Sequence, residues 1–434
     1  MVVAALLVSY LAGGVPNASA SELGDWLKSH MPEGGRVEAD GAKVVHVVAP
    51  KETHDTIAKK YLDVTGEYTW GRLAAKLRKQ TPNLKAGLEL NIPEITKRVP
   101  KAPKDERLGW PADKILKGVF VTGAYGQIRW VETLDASAAR GFNAIVLDVK
   151  DYMGGINYNT KSKLAAEGKT AKAVYFPDLA RTVRVAHDRG IRVIARIPCF
   201  HDPLLAKNVP RTSIQGNWGK PYPMGWTDPV NPEVQEYILD IVKESMDAGF
   251  DEIQLDYIRF PVHAGTGSAV MPEWKDDSRI HAIRDFVKRV HDVTKPAGVA
   301  LSLDVFGVTA TGTKEDQQKL GQDITVLSQV SDAISPMVYP SHYAAGFMGY
   351  AEPGDHPEII ATGTKNSVAK IAPGSGAVIR SWLQAFPLRS PSYGPKYVAD
   401  EAKYAEANGG HGWLMWSPAC DYSPVWNAFP VLKK

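Results

Sequence analysis

Cysteine, unbalanced charge, metal-binding histidine patterns and long apolar runs are what this chain has little of. Only Cys199 and Cys420 occur in 434 residues, so the fold cannot rest on a disulfide framework, whether or not those two pair. The 51 basic and 48 acidic residues leave a net charge of +3, a balance that excludes the broad basic footprint of a nucleic-acid binder. His201 and His342 follow strand-like runs, but neither sits in an H-x-H or H-E-x-x-H pattern, so no metal site is expected. G-x-S-x-G and P-loop motifs are also missing, which speaks against serine hydrolases and nucleotide enzymes. The opening stretch MVVAALLVSYLAGGVPNASA, residues 1–20, holds an apolar run that is too short to cross a bilayer comfortably. It ends in the A-x-A pattern Ala18-Ser19-Ala20, so a signal peptide or membrane anchor is expected, and with it export. No Lys or Arg precedes Lys28, and a buried N-terminal helix is the alternative reading.

What is present suits a large core: 44% hydrophobic and 23% charged residues, enough for one big domain and a smaller one. Residues 43–95 read as the smaller unit, in the order strand, helix, helix, strand. Thr56-Ile57-Ala58 with Tyr61, then Leu84, Gly87, Leu90, Ile92 and Pro93, resemble a LysM module. The turn Lys51-Glu52-Thr53-His54 and a longer middle depart from that family's pattern. The resemblance implies binding to glycans containing N-acetylglucosamine, peptidoglycan among them. Residues 96–114 carry Pro100, Pro103 and Pro111 among many charges and read as a linker.

From Lys117 the chain repeats a short β-rich run, a polar loop and a helical pattern. Eight strands are predicted, at 118–122, 143–150, 192–198, 252–258, 299–306, 333–339, 377–383 and 412–417. Helical stretches lie between them, such as Asp178 to Arg189, Pro232 to Ala248, Ser278 to Thr294 and Lys396 to Asn408. Eight alternations over about 300 residues predict right-handed βαβ units closing into a (β/α)8 TIM barrel, here residues 115–434. An open doubly wound sheet would favour a Gly-rich first turn, and Thr122-Gly123-Ala124-Tyr125-Gly126 is not G-x-G-x-x-G.

The fourth predicted strand, within FDEIQLDYIRFP (250–261), places Asp256 in an apolar run. Alternation sends Ile253 and Leu255 to one face and Gln254, Asp256 and Ile258 to the other. The same phase puts Val146, Asp148 and Lys150 inward on the second strand, and Ser302, Asp304 and Phe306 inward on the fifth. Three carboxylates therefore converge on the strand ends where a barrel carries its active site. Paired carboxylates are the minimum apparatus of glycoside hydrolysis, one protonating the leaving oxygen while the other attacks or activates water. Asp256 is read as nucleophile or base, kept ionised by Arg259 or Lys150. Asp304 is the acid candidate, with Asp148 the alternative acid or a hydroxyl acceptor. Tyr339, His342, Arg380, Trp382 and Trp416 complete a pocket whose aromatic faces suit a sugar ring. No cofactor is required, and the expected partner is a polysaccharide of the cell envelope or the medium; the alternative reading is a non-catalytic glycan-binding or cell-wall-assembly protein on the same barrel scaffold.

The runs FVTGAYG, IVLDVKD, DEIQLDYIRFP, LSLDVFG and SPMVYPSHY resemble a bacterial family of glycosyl-hydrolase-like domains of otherwise unassigned function. That resemblance implies a TIM barrel distantly similar to α-amylase-like barrels, where a fourth-strand aspartate acts as nucleophile. Asp256 takes that place. The related pattern has a glutamate at the end of the fifth strand, and this chain has Asp304.

Overall fold

The computed structural model describes residues 20–38, 43–95, 107–171, 173–262 and 266–432. Residues 1–19 of the expected leader and the first part of the expected linker, 96–106, lie outside these. The chain divides into two compact units, one ending at Pro100 and one beginning at Lys101.

In the first unit, β1 (Gly35–Val37), β2 (Val44–Val47) and β3 (Glu89–Ile92) form an antiparallel sheet in the order β1-β2-β3. Helices His54–Tyr61 and Trp70–Gln80 connect β2 to β3. Thr53 starts the first of them through a reciprocal capping box with Thr56. Ile57, Ala58, Tyr61, Leu90 and Ile92, which carried the module resemblance, are all buried core residues. His46 links Tyr61 (2.9 Å) to Glu52 (2.6 Å), so the unusual Lys-Glu-Thr-His turn supplies a buried polar anchor. A helix at Ala20–His30 and strand β1 extend the unit beyond the predicted strand-helix-helix-strand order.

The second unit is a parallel barrel. Its strands are β4 (Leu116–Val121), β5 (Ala144–Asp148), β6 (Arg192–Pro198), β7 (Glu252–Asp256), β8 (Ala300–Phe306), β9 (Ala333–Met337), β10 (Val378–Ile379), β11 (Ser381–Gln384) and β12 (Gly412–Trp416). The strands pair in parallel around the ring: β8 pairs with β9, β9 with both β10 and β11, β11 with β12, and β12 returns to β4, so no edge is left. β10 and β11 are one barrel strand interrupted at Arg380, which gives eight positions in the barrel. Leu255, Leu301, Leu303, Ile145 and Leu147 are buried, as strands covered on both faces require.

Helix Pro232–Asp247 starts as its sequence dictates, with Pro232 in the first turn and the Asn231 side chain accepting from the Glu233 N–H at 2.9 Å. The non-Rossmann stretch after β4 opens a helix, Gly123–Ala138, capped by Thr122. A side chain at Gly126 would press on Phe176 and Val121, so glycine is required for close approach to the sheet. Strand β7 ends at Asp256 rather than at residue 258 because Tyr257 turns to φ 51°.

The second half of the expected linker is strapped to the barrel. Arg107 donates to the Phe250 and Met246 carbonyls (3.0 and 2.5 Å), and Trp110 Nε1 donates to Glu252 at 2.8 Å. Glu252 also pairs with Arg380, and both are fully buried. That pair serves the barrel interior, whereas Arg380 was expected to bind substrate. Arg380→Met leaves Glu252 without its cation and is expected to lower unfolding free energy by about 3–5 kcal/mol in denaturant melts; a loss under about 1 kcal/mol contradicts this role.

Candidate active site

β6 carries a residue that the sequence reading passed over. In RVIARIP, the alternation that turns Val193, Ala195 and Ile197 outward turns Arg196 inward, between Asp148 on β5 and Gln254 on β7. Arg196 is the only cation within pairing distance of Asp148, Asp256 and Asp304 among the described residues. Its Nη1 donates to Asp148 at 2.6 Å, its Nε to Asp256 at 3.1 Å, and its Nη2 to the same Asp256 oxygen. Nε also stands 3.8 Å from Asp304 Oδ2. All four groups are at most 9% exposed.

The spacing matters chemically. One nitrogen lies 3.1 Å from an Asp256 oxygen and 3.8 Å from an Asp304 oxygen, so those oxygens are no more than about 7 Å apart. That limit accommodates the roughly 5–5.5 Å of retaining pairs and the lower part of the roughly 6.5–9.5 Å range of inverting ones. The Tyr257 N–H donates to the other Asp256 oxygen at 2.5 Å. Left-handed backbone is rare for an aromatic residue, and here it aims that N–H at the carboxylate while Tyr257 lines the cavity. Every contact Asp256 makes is thus from a donor, the environment a carboxylate needs.

Asp304 differs. Trp382 Nε1 donates to its Oδ1 at 2.6 Å, while Oδ2 is buried without a hydrogen-bond partner. Burial, reinforced by the nearby Asp256 charge, pushes its carboxyl well above the usual carboxylate range. Burial likewise pushes Asp148 up to about 7, against the opposing pull of Arg196. The Asp256 charge adds to burial in both cases, since one guanidinium cannot neutralise three ionised carboxylates out of water.

Asp256, Asp304, Arg259, Tyr339, His342, Trp382 and Trp416 all line one cavity of about 580 Å³. Tyr339 stacks on Trp416 with centroids 5.4 Å apart. Burial pushes the His342 imidazole down, which favours its neutral form. Phe306, Tyr343 and Phe347 also line the cavity; of these the sequence reading placed Phe306 inward but assigned it no role. Three expected site residues stand apart. Asp148 reaches the site only through Arg196, and Arg380 pairs with Glu252. Lys150 is fully buried against Asp202 (3.0 Å) and the Pro198 carbonyl (2.7 Å). Neither Lys150 nor Arg259 holds Asp256; Arg196 does. Among the described residues no group of three His, Cys, Asp or Glu side chains is arranged for a metal, and Cys199 and Cys420 are free and buried.

A closed parallel barrel with carboxylates at the strand ends and an aromatic-walled cavity is the architecture of a (β/α)8 glycoside hydrolase. The chain belongs to the putative glycosyl hydrolase domain family, whose model matches residues 118–422. No curated protein matches it. Among solved structures, the PgaB (BpsB) glycoside hydrolase domain from Bordetella bronchiseptica is 13% identical, with TM-score 0.54, covering 74% of this chain and 100% of its own. That likeness is one of fold. A hypothetical protein from Ruminiclostridium thermocellum ATCC 27405 is 29% identical over 43% of this chain and 97% of its own, with TM-score 0.38. A chitinase from Chromobacterium violaceum ATCC 12472 is 13% identical over 73% and 98%, with TM-score 0.43.

The raised Asp148 pKa fixes the sign of a stability effect. A carboxyl raised from 3.8 to about 7 favours the fold below about pH 4, and that contribution is lost as pH rises towards 7. Asp148→Asn imitates the protonated form, so its melting temperature relative to wild type should climb between about pH 4.5 and 7.5. A gap that shrinks over that range contradicts the shift.

Proposed function

We propose that the barrel hydrolyses glycosidic bonds of an envelope or extracellular polysaccharide, with Asp304 as general acid and Asp256 as nucleophile or base. The observation that carries this is the contrast between two neighbouring carboxyls on one guanidinium. Asp256 is saturated with donors, whereas Asp304 has a free oxygen in a dry position that favours the proton. A pair driven apart in this way supplies an acid and a base from one residue type. Asp304 gives its proton to the leaving oxygen while Asp256 attacks the anomeric carbon or deprotonates water. Arg196 spreads its charge over the cluster, and Asp148 positions Arg196. Tyr339 and Trp416 offer apolar faces to the sugar ring.

Export of the enzyme and tethering by the first unit are part of the same proposal. They are supported by the apolar leader with its Ala18-Ser19-Ala20 pattern and by the LysM-like residues of 43–95. Peptidoglycan and related amino-sugar polymers are the substrates this arrangement favours.

Asp304→Asn should lower kcat/KM by about 10²–10⁴-fold on polysaccharide. It should lower turnover much less on aryl glycosides whose leaving group needs no proton, while Asp256→Asn impairs both. Product release at wild-type rates by either variant on polysaccharide overturns the assignment.

Trp382→Phe offers a separate check. The indole N–H stabilises ionised Asp304, so its removal raises that pKa further. Activity, lost as pH rises through the acid's pKa, should persist to higher pH in this variant. An alkaline limb that moves to lower pH contradicts the acid role.

A further inference from the structure

Most buried arginines of the barrel are accounted for by other groups of the protein. Arg196 has its three aspartates and Arg380 has Glu252, while Arg279 donates to the Pro272 and Lys319 carbonyls, both at 2.9 Å. Arg259 is different. It is 8% exposed, lines the catalytic cavity, and pairs with no carboxylate among the described residues. One bond is made, from Nη1 to the Phe260 carbonyl at 3.1 Å, and Nε is buried without a partner.

What holds Arg259 in place is aromatic. Its guanidinium carbon lies 4.1 Å from the Phe306 ring centroid, 4.6 Å from Trp226 and 5.8 Å from Tyr257. These faces fix the plane of the fork and attract the cation without accepting a directed hydrogen bond. A charge taken out of water and left with donors to spare is costly unless something pairs with it. The nearby Asp256 contributes only through-space attraction, because its oxygens are taken by Arg196 and the Tyr257 N–H.

We propose that Arg259 is a specificity determinant that receives a sugar carboxylate in the catalytic cavity, so that the enzyme selects a glycan with acidic residues. The inference rests on the hydrolase reading and names its substrate class. A planar guanidinium with free donors matches a carboxylate in a two-bonded fork. A carboxylate adds one negative charge opposite one positive charge. A doubly charged phosphate ester would leave a surplus beside Asp256. The carboxylate can belong to a uronic acid or to the lactyl ether of a peptide-free muramic-type sugar; the chemistry at Arg259 is the same.

The test uses the full chain and matched substrates: uronate-containing oligosaccharides, peptide-free muramic-type glycan strands, and each of these after carbodiimide reduction of its carboxylates to alcohols. Wild type should favour the acidic member of at least one pair by about tenfold or more in kcat/KM. The two sources are told apart by which pair shows the preference. In Arg259→Gln the acidic-to-neutral ratio should fall towards one. Arg259→Lys, which keeps the charge and loses the fork, should lower the ratio by a smaller factor, and it serves if the glutamine variant does not fold. A wild-type ratio near one in every pair overturns the proposal, as does a ratio unchanged by both variants. If no pair is hydrolysed, the hydrolase reading fails on these glycans, and binding of the same pairs by titration calorimetry decides the inference. Tighter binding of an acidic member that Arg259→Gln abolishes supports it; equal affinities overturn it.

Discussion

One guanidinium facing three carboxyls is the constraint on which the site depends. Arg196 is buried where water cannot share the load, so Asp148, Asp256 and Asp304 cannot all ionise beside it at little cost. The protons must stay somewhere. Geometry decides where: Asp256 receives the fork and a backbone N–H, while Asp304 receives one indole N–H and keeps an unpartnered oxygen. Two identical side chains on neighbouring strands thus stand in opposite environments, which is the basis of the proposed acid and base roles.

The barrel makes that arrangement possible by stacking its polar interior in layers. Below the cluster, Glu252 and Arg380 neutralise each other, and Trp110 donates to Glu252. Above it, aromatic residues wall the cavity. The leucines and isoleucines on the other face of the same strands bury against helices, which holds β5 to β8 in register and the carboxyls within a few ångströms of each other. Lys150, paired with Asp202, ties the loop after β5 to the loop after β6. Lys150, Glu252 and Arg380 therefore serve the frame.

Much of this was legible in the chain. Short β-rich runs alternating with helical patterns marked the eight barrel strands, and carrying a period-two phase through the second, fourth and fifth brought Asp148, Asp256 and Asp304 to one end of the barrel. The same rule applied to RVIARIP would have found Arg196. It was passed over because a single arginine in a β-rich run carries no motif. The pairings of Lys150 and Arg380 were not legible, since Asp202 and Glu252 lie 52 and 128 positions away and only the closed ring brings them into contact. Arg259 sits beyond the strand end, where Tyr257 breaks the alternation, and its aromatic cradle is drawn from three separate loops and strands. The N-terminal core residues were legible from the module resemblance; the added strand and helix were not.

The proposed mechanism requires Asp304 to hold its proton beside Asp256 on a shared guanidinium. The most direct measurement is carboxyl ¹³C NMR of aspartate-labelled protein, with the Asp304 signal assigned from Asp304→Asn, recorded across a pH titration. Asp304 should keep its proton well above the pH at which an ordinary aspartate ionises, about 3.9. An Asp304 signal that ionises together with those of ordinary aspartates would contradict the acid role.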